Sequence, residues 1–400
     1  MNATLGRMAS FNKIKLGDAI TFQRGFDITK SEQTEGEIPI VSSSGISSFH
    51  NQWKTKGPGV VIGRKGTLGT VHYLKGNFWP HDTTLWVKDF KGNNRRFTYF
   101  FLQTLHLENF DTGSSNPTLN RNHIHKIKII FPKLDEQQKI AAILSAYDEL
   151  IENNQRRIAL LEKTTEEIYR EWFVRLRFPG HEKVKKVKGV PEGWQRTKVV
   201  TLTSYLKRGV APQYDDLAEG FAINQKCIRD GKLDLSFARH QSRDVSADRQ
   251  IRFGDVLVNS TGEGTLGRVA QVLTQLSNCI VDSHVTIVRP KHNVPIHYFG
   301  MTLKAWEVHF STMGGGATNQ TELSPTVIGN IEVTMPSKPL QDVFESHAEP
   351  LFAQITYLTA QNERLTRMSD MLLPRLISGK LSVEHLDIQF PPGMEESACV

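Results

Sequence analysis

The same pattern of residues occurs twice in this chain. Residues 116–173 align with residues 320–377 at a constant shift of 204 positions and without a gap. Within this alignment, Leu119 falls on Leu323. Nearer the N-terminus, residues 66–71 recur as residues 264–269 at a shift of 198 positions. Two long copies of one plan predict a pseudo-twofold protein. Such a protein suits a partner that is itself nearly symmetric, and duplex DNA is one.

The composition favours a polyanionic partner. The 400 residues carry a formal net charge of +7, with a pI of about 9.2, which suits binding to nucleic acid. The length predicts roughly two to four domains. The hydrophobic fraction of 38% and the charged fraction of 23% are typical of a globular protein.

Cysteine usage and the absence of targeting segments indicate a reducing compartment. Cys227, Cys279 and Cys399 are far apart and form no Cys-x-x-Cys pair, which argues against a disulfide framework or a zinc ribbon. The first 17 residues lack the apolar core of a signal peptide. No stretch approaches the roughly 18 apolar residues that span a bilayer. We therefore expect a cytoplasmic protein.

Each half predicts a mixed domain followed by a long helix. Short apolar runs bounded by glycine and proline predict strands at residues 59–62, 84–87, 127–131, 254–258, 283–288 and 331–335. Short helices are expected at residues 96–107 and 298–308. Residues 181–189 carry four lysines, which we interpret as a solvated connector in preference to a phosphate clamp.

A heptad seam follows each mixed domain. From residue 140 to residue 172 the spacing alternates between four and three, and eight of the ten positions are apolar or aromatic. The seam recurs 204 residues later. Its central residues are Ile151, Asn154, Ile158, Leu161, Ile355, Leu358, Asn362 and Leu365. We expect a coiled coil. Pro350 predicts the start of the second main helix, and Pro374 predicts a bend or fraying near its end.

Each seam contains one asparagine, and the two are not equivalent in the repeat, because Leu358 lies 204 residues after Asn154. Antiparallel pairing about a pseudo-twofold near residues 156 and 360 would place Asn154 opposite Asn362. A buried asparagine pair fixes the register of a coiled coil. The alternative is that each asparagine reaches solvent.

Motifs for catalysis are missing. The Gly-Lys pairs at residues 231–232 and 379–380 are followed by leucine, where a Walker A loop has serine or threonine. No Gly-x-Gly-x-x-Gly loop follows a strand, and no Asn-Pro-Pro-aromatic segment of an adenine methyltransferase is present. The Asp-x-Lys pairs at Asp89 and Asp230 lack a nearby Pro-Asp partner, and the histidines are scattered. We predict no catalytic residue and no metal site.

Several motifs occur in a duplicated order. They are a glycine–serine segment at 112–119, a proline–acidic–glutamine segment at 132–140, an aromatic segment at 168–173 with Phe-Pro-Gly at 178–180, Pro-Glu-Gly-Trp at 191–194, and a second helix end at 372–381. From about residue 14 to about residue 383, this series resembles the specificity (S) subunits of type I restriction–modification enzymes. The second copy departs at 337–341, where it keeps Gln341 but lacks the acidic pair. We therefore expect a weaker or different partner contact on that side.

The resemblance implies an α+β fold with two pseudo-twofold-related α/β target-recognition domains separated by two long antiparallel coiled-coil helices. The expected bounds are 1–134 for target-recognition domain 1, 135–180 for the central conserved helix, 181–197 for a linker, 198–338 for target-recognition domain 2, 339–383 for the C-terminal conserved helix and 384–400 for a tail. A helix of about 27 to 39 residues is about 40 to 60 Å long, whereas one turn of B-DNA is about 34 to 36 Å. The long helices could therefore set the length of the gap between two recognised DNA segments, the half-sites.

The resemblance also implies the function. Such subunits are not catalytic; they read a bipartite, asymmetric double-stranded DNA target and bind two modification (methyltransferase) subunits, which recruit restriction (nuclease and translocase) subunits. S-adenosylmethionine, ATP and magnesium are expected on those partner subunits and not on this chain. The alternatives are a stand-alone DNA-modifying enzyme, which the missing motifs disfavour, and a coiled-coil protein scaffold without DNA readout, which the basic charge disfavours.

Candidate DNA contacts are the cationic and amide side chains of the predicted loops, because such groups bind phosphates and base edges. They are Arg64, Lys65, Arg95, Arg96, Asn120, Arg121, Asn122, Lys207, Arg208, Arg229, Arg239, Arg243, Arg249, Arg268, Asn319 and Gln320. The repeated Gly66, Gly69, Gly264 and Gly267 are expected to form a shared turn and not to read sequence. The triple glycine at 314–316 predicts a mobile loop.

Overall fold

The chain forms two compact units, in a computed structural model that describes residues 11–110, 117–187, 189–315 and 321–390. The first unit comprises Met1–Asn153 and Gln361–Val400, and the second comprises Asn154–Ala360. Each unit therefore contains one mixed domain and a part of both long helices.

The first unit begins with nine strands and three short helices. The strands are β1 (Asn12–Lys15), β2 (Thr21–Arg24), β3 (Ile38–Ser42), β4 (Gly45–His50), β5 (Gly59–Gly63), β6 (Val71–Leu74), β7 (Trp79–Pro80), β8 (Thr84–Asp89) and β9 (Lys128–Phe131) among the described residues. The helices are α1 (Leu16–Ala19), α2 (Arg95–Gln103), α3 (Arg121–Ile124) and the first long helix, α4 (Leu134–Tyr169). Strands order as β2-β8-β5-β6 in one sheet and as β4-β3-β7 in a second, in which β3 and β7 are parallel.

Strand β5 lies at the centre of the first mixed domain. Val60 and Ile62 share a core with the aromatic side chains of α2, whereas Val61 packs with Val41 and Phe78. Successive side chains of a strand point to opposite faces, so both faces of β5 are covered. This burial explains why the strand is a continuous apolar run and not an alternating one.

The second unit has the strands β10 (Lys186–Val187), β11 (Val190–Pro191), β12 (Gln195–Lys198), β13 (Thr203–Arg208), β14 (Gly220–Ile223), β15 (Ile228–Arg229), β16 (Lys232–Leu233), β17 (Arg239–Gln241), β18 (Val256–Asn259), β19 (Val269–Gln271), β20 (Cys279–Val281), β21 (Val285–Pro290) and β22 (Glu332–Met335). Its helices are α5 (Val199–Leu202), α6 (Ile296–Ala305), α7 (Glu307–Phe310) and α8 (Pro325–Asn330), and the second long helix is α9 (Lys338–Ile377). The order β13-β21-β18-β19 reproduces that of the first domain, and β17-β14-β20 again contains one parallel pair, β14 with β20. The duplicated plan predicted from the sequence is confirmed.

The long helices pair in the antiparallel sense in both units. In the first unit, Ile140 and Leu144 near the start of α4 share a core with Leu376 near the end of α9. In the second unit, Tyr169 at the end of α4 packs with Phe344 near the start of α9. An early part of one helix thus lies against a late part of the other, and the predicted fold class is confirmed.

Both long helices begin with the same hydrogen bond. The Gln137 Nε2 atom donates to the Pro132 carbonyl oxygen at 3.0 Å, and the Gln341 Nε2 atom donates to the Pro336 carbonyl oxygen at 2.6 Å. In the first copy, the Gln137 Oε1 atom also accepts from the Asn94 N–H at 2.9 Å. The proline–glutamine segment therefore joins the closing strand to the helix.

The prediction that the second main helix starts at Pro350 is wrong. Helix α9 is continuous from Lys338 to Ile377, and the proline in its first turn is Pro339. Pro350 removes one backbone donor within the helix. The helix continues because burial of its apolar stripe, and not any single hydrogen bond, provides most of its stability. It also continues past Pro374, whose carbonyl oxygen accepts from the Ser378 N–H at 3.2 Å.

The two predicted short helices differ from the prediction in extent: the first is shorter, and the second is interrupted. The first ends at Gln103, and His106 follows with a φ of 47°. A left-handed residue cannot continue a right-handed helix. The second is divided at Trp306 into α6 and α7.

The segment predicted as a linker carries secondary structure. Strands β10 and β11 form a hairpin, and β12 pairs with β22 immediately before α9. Lys183, Lys185 and Lys186 are exposed, as a solvated segment requires. Lys188 lies outside the described residues.

The central seam residues lie on the covered sides of the long helices. Asn154 and Leu358 are buried, and the other six, Ile151, Ile158, Leu161, Ile355, Asn362 and Leu365, are half-buried. Asn154 belongs to the second unit and Asn362 to the first, so their pairing stays a prediction.

Candidate nucleic-acid interface

A loop held by the same backbone hydrogen bonds occurs in both mixed domains. In the first, the Gly63 N–H donates to the Thr70 carbonyl oxygen at 2.8 Å, and the Gly69 N–H donates to the Gly63 carbonyl oxygen at 3.0 Å. The Arg64 N–H donates to Thr83 at 2.9 Å, and the Arg64 carbonyl oxygen accepts from the Leu119 N–H at 3.0 Å. We call residues 63–70 with Thr83 and Leu119 the first loop frame.

The second loop frame consists of residues 259–268 with His284 and Leu323. The Asn259 N–H donates to Arg268 at 2.9 Å, and the Gly267 N–H donates to Asn259 at 2.8 Å. The Ser260 N–H donates to His284, and the Leu323 N–H donates to Ser260, both at 2.9 Å. Each bond has its counterpart in the first frame, and Ser260 takes the place of Arg64.

Glycines make both frames possible. Gly69 and Gly267 have φ angles of 73° and 81°, and a Cβ atom there would lie 2.7 Å from the Glu108 nitrogen and 2.5 Å from the Ser311 nitrogen, respectively. Only glycine adopts this conformation without strain and tolerates so close an approach. Gly66 and Gly264 also have positive φ angles. The expectation that the repeated glycines form a shared turn is confirmed.

The first frame carries a cluster of charged side chains. The Arg24 Nη2 atom, at the end of β2, contacts the Asp82 Oδ2 atom at 2.8 Å, and the Arg64 Nη1 atom donates to the Asp82 carbonyl oxygen at 3.3 Å. Burial acts to raise the pKa of Asp82, but the hydrogen bond from Arg24 and the charges of His81, Arg24 and Lys65 outweigh it, so the pKa is lowered. Burial and the charge of Arg24 lower the pKa of Arg64.

The sequence interpretation missed Arg24, although a signal for it exists. Arg24-Gly25 recurs as Arg208-Gly209 at the end of β13, and Arg208 pairs with Glu322 at 3.1 Å. A Cβ atom on either glycine would lie about 2 Å from a backbone carbonyl, 2.0 Å at Gly25 and 1.9 Å at Gly209. The repeated Arg-Gly dipeptide in the sequence therefore predicts that the two strands end in the same way in both domains.

The first frame also contains the predicted residue Lys65, and three further predicted residues lie beside the frame. A backbone bridge joins Lys65 to Thr118, which brings the start of α3 beside the loop. Asn120 caps α3 by accepting from the Asn122 N–H at 2.9 Å. Lys65, Asn120, Arg121 and Asn122 are all exposed. The structure thus gathers these side chains with Arg64 on one surface.

Arg95 and Arg96 do not join this surface. The Arg95 Nη1 atom donates to the Pro58 carbonyl oxygen at 2.7 Å. The Arg96 Nη2 atom contacts the Asp148 Oδ2 atom on the long helix at 2.6 Å. Both guanidinium groups are therefore engaged within the protein.

The predicted residues of the second domain do not form one group. Arg208 lies beside the second frame, where it pairs with Glu322. The frame itself contains Arg268, whose Nη2 atom donates to the Gly264 carbonyl oxygen at 3.0 Å. Arg239 lies over the Tyr214 ring at 3.7 Å and Arg229 over the Phe237 ring at 4.6 Å.

The remaining candidates of that domain are spread along other segments. The Arg243 Nη1 atom donates to the Ala211 carbonyl oxygen at 2.7 Å, and Lys207, Arg243 and Arg249 are exposed. Asn319 and Gln320 lie outside the described residues. Of the predicted mobile loop, Gly314 and Gly315 are described, and Gly315 forms a bridge with Glu322.

One group of described side chains could share a metal ion. The ligand atoms of Asp27, His81 and Asp82 lie within 4.8 Å of one another. Arg24 already contacts Asp82, and Arg64 and Lys65 add positive charge nearby. Like charges oppose the binding of a cation, so the Asp82 carboxylate is better placed to orient the Arg24 side chain.

None of the helices formed by the described residues is long and apolar enough to cross a membrane.

Comparison with known proteins identifies similar sequences and a similar fold. Residues 8–163 match the family described as the type I restriction modification DNA specificity domain. The specificity subunit of type I restriction enzyme MjaIX from Methanocaldococcus jannaschii is 25% identical over 321 residues, which cover 72% of this chain and 70% of that protein. A putative type I specificity subunit from Mycoplasma pneumoniae is 24% identical over 347 residues, covering 84% of this chain and 88% of that protein.

A solved structure shows the same fold. The S subunit of the type I restriction–modification system of M. genitalium superposes with a TM-score of 0.66 at 17% identity, covering 92% of this chain and 96% of that one. The duplicated domains, the paired long helices and these relatives lead to one conclusion: the chain resembles type I restriction–modification specificity subunits in sequence and in fold.

Proposed function

We propose that this chain is the DNA sequence-recognition subunit of a type I restriction–modification complex and that it reads a bipartite, asymmetric double-stranded DNA target. Members of its family are the non-catalytic recognition components of their complexes. The observation that carries the proposal is the loop frame, which occurs once in each domain with the same backbone bonds and different side chains.

A constant backbone with variable side chains is the arrangement that two different half-sites require. At one equivalent position the first frame has Arg64 and the second has Ser260, whose Oγ atom is hydrogen-bonded to Thr286 at 2.6 Å. Arginine binds guanine edges through two donors, which a buried serine cannot do. The two domains therefore present different groups from the same place, and the expected half-sites differ.

The two frames also share positive charge. Arg24 and Arg208 occupy equivalent strand ends, and each is oriented by a carboxylate. Groups that are common to both domains suit the phosphate backbone, which is the same in any sequence, whereas groups that differ suit base edges. We assign Arg24 and Arg208 to phosphate contacts and Arg64 to a base contact.

Members of the family assemble with other subunits of their complexes. We propose that the partners here are two modification subunits and, through them, restriction subunits. S-adenosylmethionine, ATP and magnesium would then bind the partner subunits and not this chain, in agreement with the lack of a nucleotide-binding loop in its sequence. The long helices are the expected docking surface.

The test is co-expression with a modification subunit from the same host, followed by genome-wide mapping of methylated adenines. A single split motif is the expected result. Exchange of residues 198–335 for those of another family member should change one half of the motif and leave the other half unchanged. A stable complex that methylates no split motif, or an exchange that alters both halves, would contradict the proposal.

A charge variant provides a second measurement. Arg24→Gln should weaken DNA binding for all sequences and lower the slope of log affinity against log salt by about one. Arg64→Gln should relax one base position of the first half-site. Lys128→Gln is the matched control, because Lys128 is an exposed cation of the same domain on the strand that leads into α4.

A further inference from the structure

Arg96 forms a polar joint between the first mixed domain and the long helix. Its Nη2 atom contacts the Asp148 Oδ2 atom at 2.6 Å, and its Nε atom donates to the Ser145 Oγ atom at 3.1 Å. The guanidinium carbon lies 4.4 Å from the centre of the Tyr73 ring and 5.2 Å from that of Tyr99. The side chain is only 14% exposed.

This joint extends the buried contacts between the domain and the helix towards the C-terminal end of α4. Near its start, α4 is held by the Gln137 hydrogen bonds and by the core that contains Ile140 and Leu144. Asp148 follows Gln137 by three helical turns, which is about 16 Å along the helix. Without the joint the buried contacts end at Leu144, about 10 Å along the helix from Gln137, whereas with it they extend to Asp148 and hold the angle of the domain more firmly.

The second domain has a joint at the same place with different chemistry. Arg96 is the second residue of α2, and His297 is the second residue of α6. The His297 ring stacks on Phe352, which occupies the position 204 residues after Asp148, with ring centres 4.8 Å apart. The His297 Nδ1 atom also contacts the Glu345 Oε2 atom at 2.7 Å. The repeat therefore keeps the location of the joint while its residues change.

We propose that Arg96 is a positioning residue that sets the angle of the first recognition domain on α4, and thereby the length of the gap between half-sites that the complex accepts. This inference rests on the proposed function. It assigns to Arg96 a role that acts through Asp148, Tyr73 and Tyr99 and not through contact with a base.

A small rotation is enough to change the gap. A turn of about 6° moves the far side of a domain about 35 Å across by about 3.5 Å, which is close to the rise of about 3.4 Å per base pair along B-DNA. Loss of the joint should therefore broaden the range of accepted gap lengths by about one base pair. The sequence of the half-sites should not change, because the loop frames are untouched.

The experiment is adenine-methylation mapping of the complex with its modification subunit, on a library of targets with fixed half-sites and gaps that vary by single base pairs. In Arg96→Gln and Asp148→Asn, methylation of targets whose gap differs by one base pair should rise about tenfold relative to the preferred gap, a change that corresponds to about 1.4 kcal/mol. Arg96→Lys, which keeps the charge, should be intermediate.

Lys75→Gln is the matched control. Lys75 contacts Glu152 one helical turn beyond Asp148 at 2.6 Å, but both side chains are largely exposed, and exposed ion pairs contribute little. This variant should keep the gap preference of the wild type. The Asp148→Asn variant retains Arg96 and its ring contacts, so it reports on the joint even where Arg96→Gln reduces folding.

The outcomes separate the two proposals. A wild-type complex that methylates no split motif would refute both the proposed function and this inference. A wild-type split motif with an unchanged gap preference in both joint variants would overturn the inference alone. A change in the half-site sequence of Arg96→Gln would also overturn it, because Arg96 would then contact bases.

Discussion

Gln137 donates a hydrogen bond from its side-chain amide to the carbonyl oxygen of Pro132, across the junction between the closing strand and the first long helix. The same side chain accepts from the Asn94 N–H and is 1% exposed. One buried amide therefore holds the ends of three segments together.

Replacement of Gln137 by leucine should destabilise the first unit. The variant leaves the Pro132 carbonyl and the Asn94 N–H without their partner, at about 1 to 3 kcal/mol for each buried group. Chemical denaturation measures the change. Gln155→Leu, at an exposed position of the same helix, should change the free energy of unfolding by less than about 0.5 kcal/mol. Equal effects of the two variants would contradict the role assigned to Gln137.

His125 should make the stability of the first unit depend on pH. Its Nε2 atom accepts from the Phe22 N–H at 2.9 Å, so the folded state requires the neutral ring. Burial, together with the charges of Arg121 and Lys91, lowers its pKa below the ordinary value of 6.5. The stabilisation is complete above the unfolded pKa and is lost as the pH falls through 6.5 towards the lower folded value.

We therefore expect the free energy of unfolding of the wild type to decrease between about pH 7 and about pH 5, by an amount that His125→Gln reduces. Glutamine can accept the same hydrogen bond but does not titrate. His123→Gln, at an exposed position, should keep the wild-type slope. A slope that is unchanged in His125→Gln would exclude this group as its source.

Two glycines of the first loop frame should differ in their tolerance of alanine. A Cβ atom at Gly66 meets nothing within 4 Å, so Gly66→Ala costs only the left-handed conformation, about 1 to 2 kcal/mol. At Gly69 the Cβ atom would also lie 2.7 Å from the Glu108 nitrogen. Gly69→Ala should therefore lower the melting temperature more than Gly66→Ala, and the reverse order would contradict the frame geometry.

The second unit contains a buried ion pair that should be sensitive to the loss of one partner. The Arg289 Nε and Nη2 atoms contact the two Asp255 carboxylate oxygens at 2.7 and 2.8 Å, and Asp255 is fully buried. Asp255→Asn leaves a buried guanidinium without its counter-charge and should destabilise the unit by about 3 to 5 kcal/mol.

The exposed Lys338–Asp342 pair, at 2.8 Å, is the control for this substitution. Asp342→Asn should cost between about 0 and 1 kcal/mol, because solvent screens exposed pairs. Hydrogen exchange should localise the effect of Asp255→Asn to the second unit. Loss of protection in the first unit as well would show that the pair supports more than its own domain.

The elements that the sequence predicted correctly are those that local periodicity determines. The apolar run that became β5 and the heptad seam of α4 were readable because neighbouring positions alone determine which side is buried. Arg96 was assigned to DNA because it is a cation near a loop, but its partner Asp148 lies 52 residues away in the chain. No local pattern marks such a contact.

The error at Pro350 has a similar origin. Proline is disfavoured within a helix, and that local rule takes no account of the apolar face that α9 buries along its length. The role of the Asp82 carboxylate likewise depends on the fold, which brings Arg24 at the end of β2 into contact with it. Long-range contacts determine the roles of these residues, and a single sequence does not reveal such contacts.

The antiparallel helices have a consequence for shortened chains. Each unit requires the beginning of one long helix and the end of the other, so a product that stops after the first copy would expose the side chains of Ile140 and Leu144 that α9 covers. Two such half-length products could cover each other, since each would supply the end that its companion lacks. Truncation of the gene would then create a homodimer with two identical half-sites, and the asymmetric target would become a palindrome.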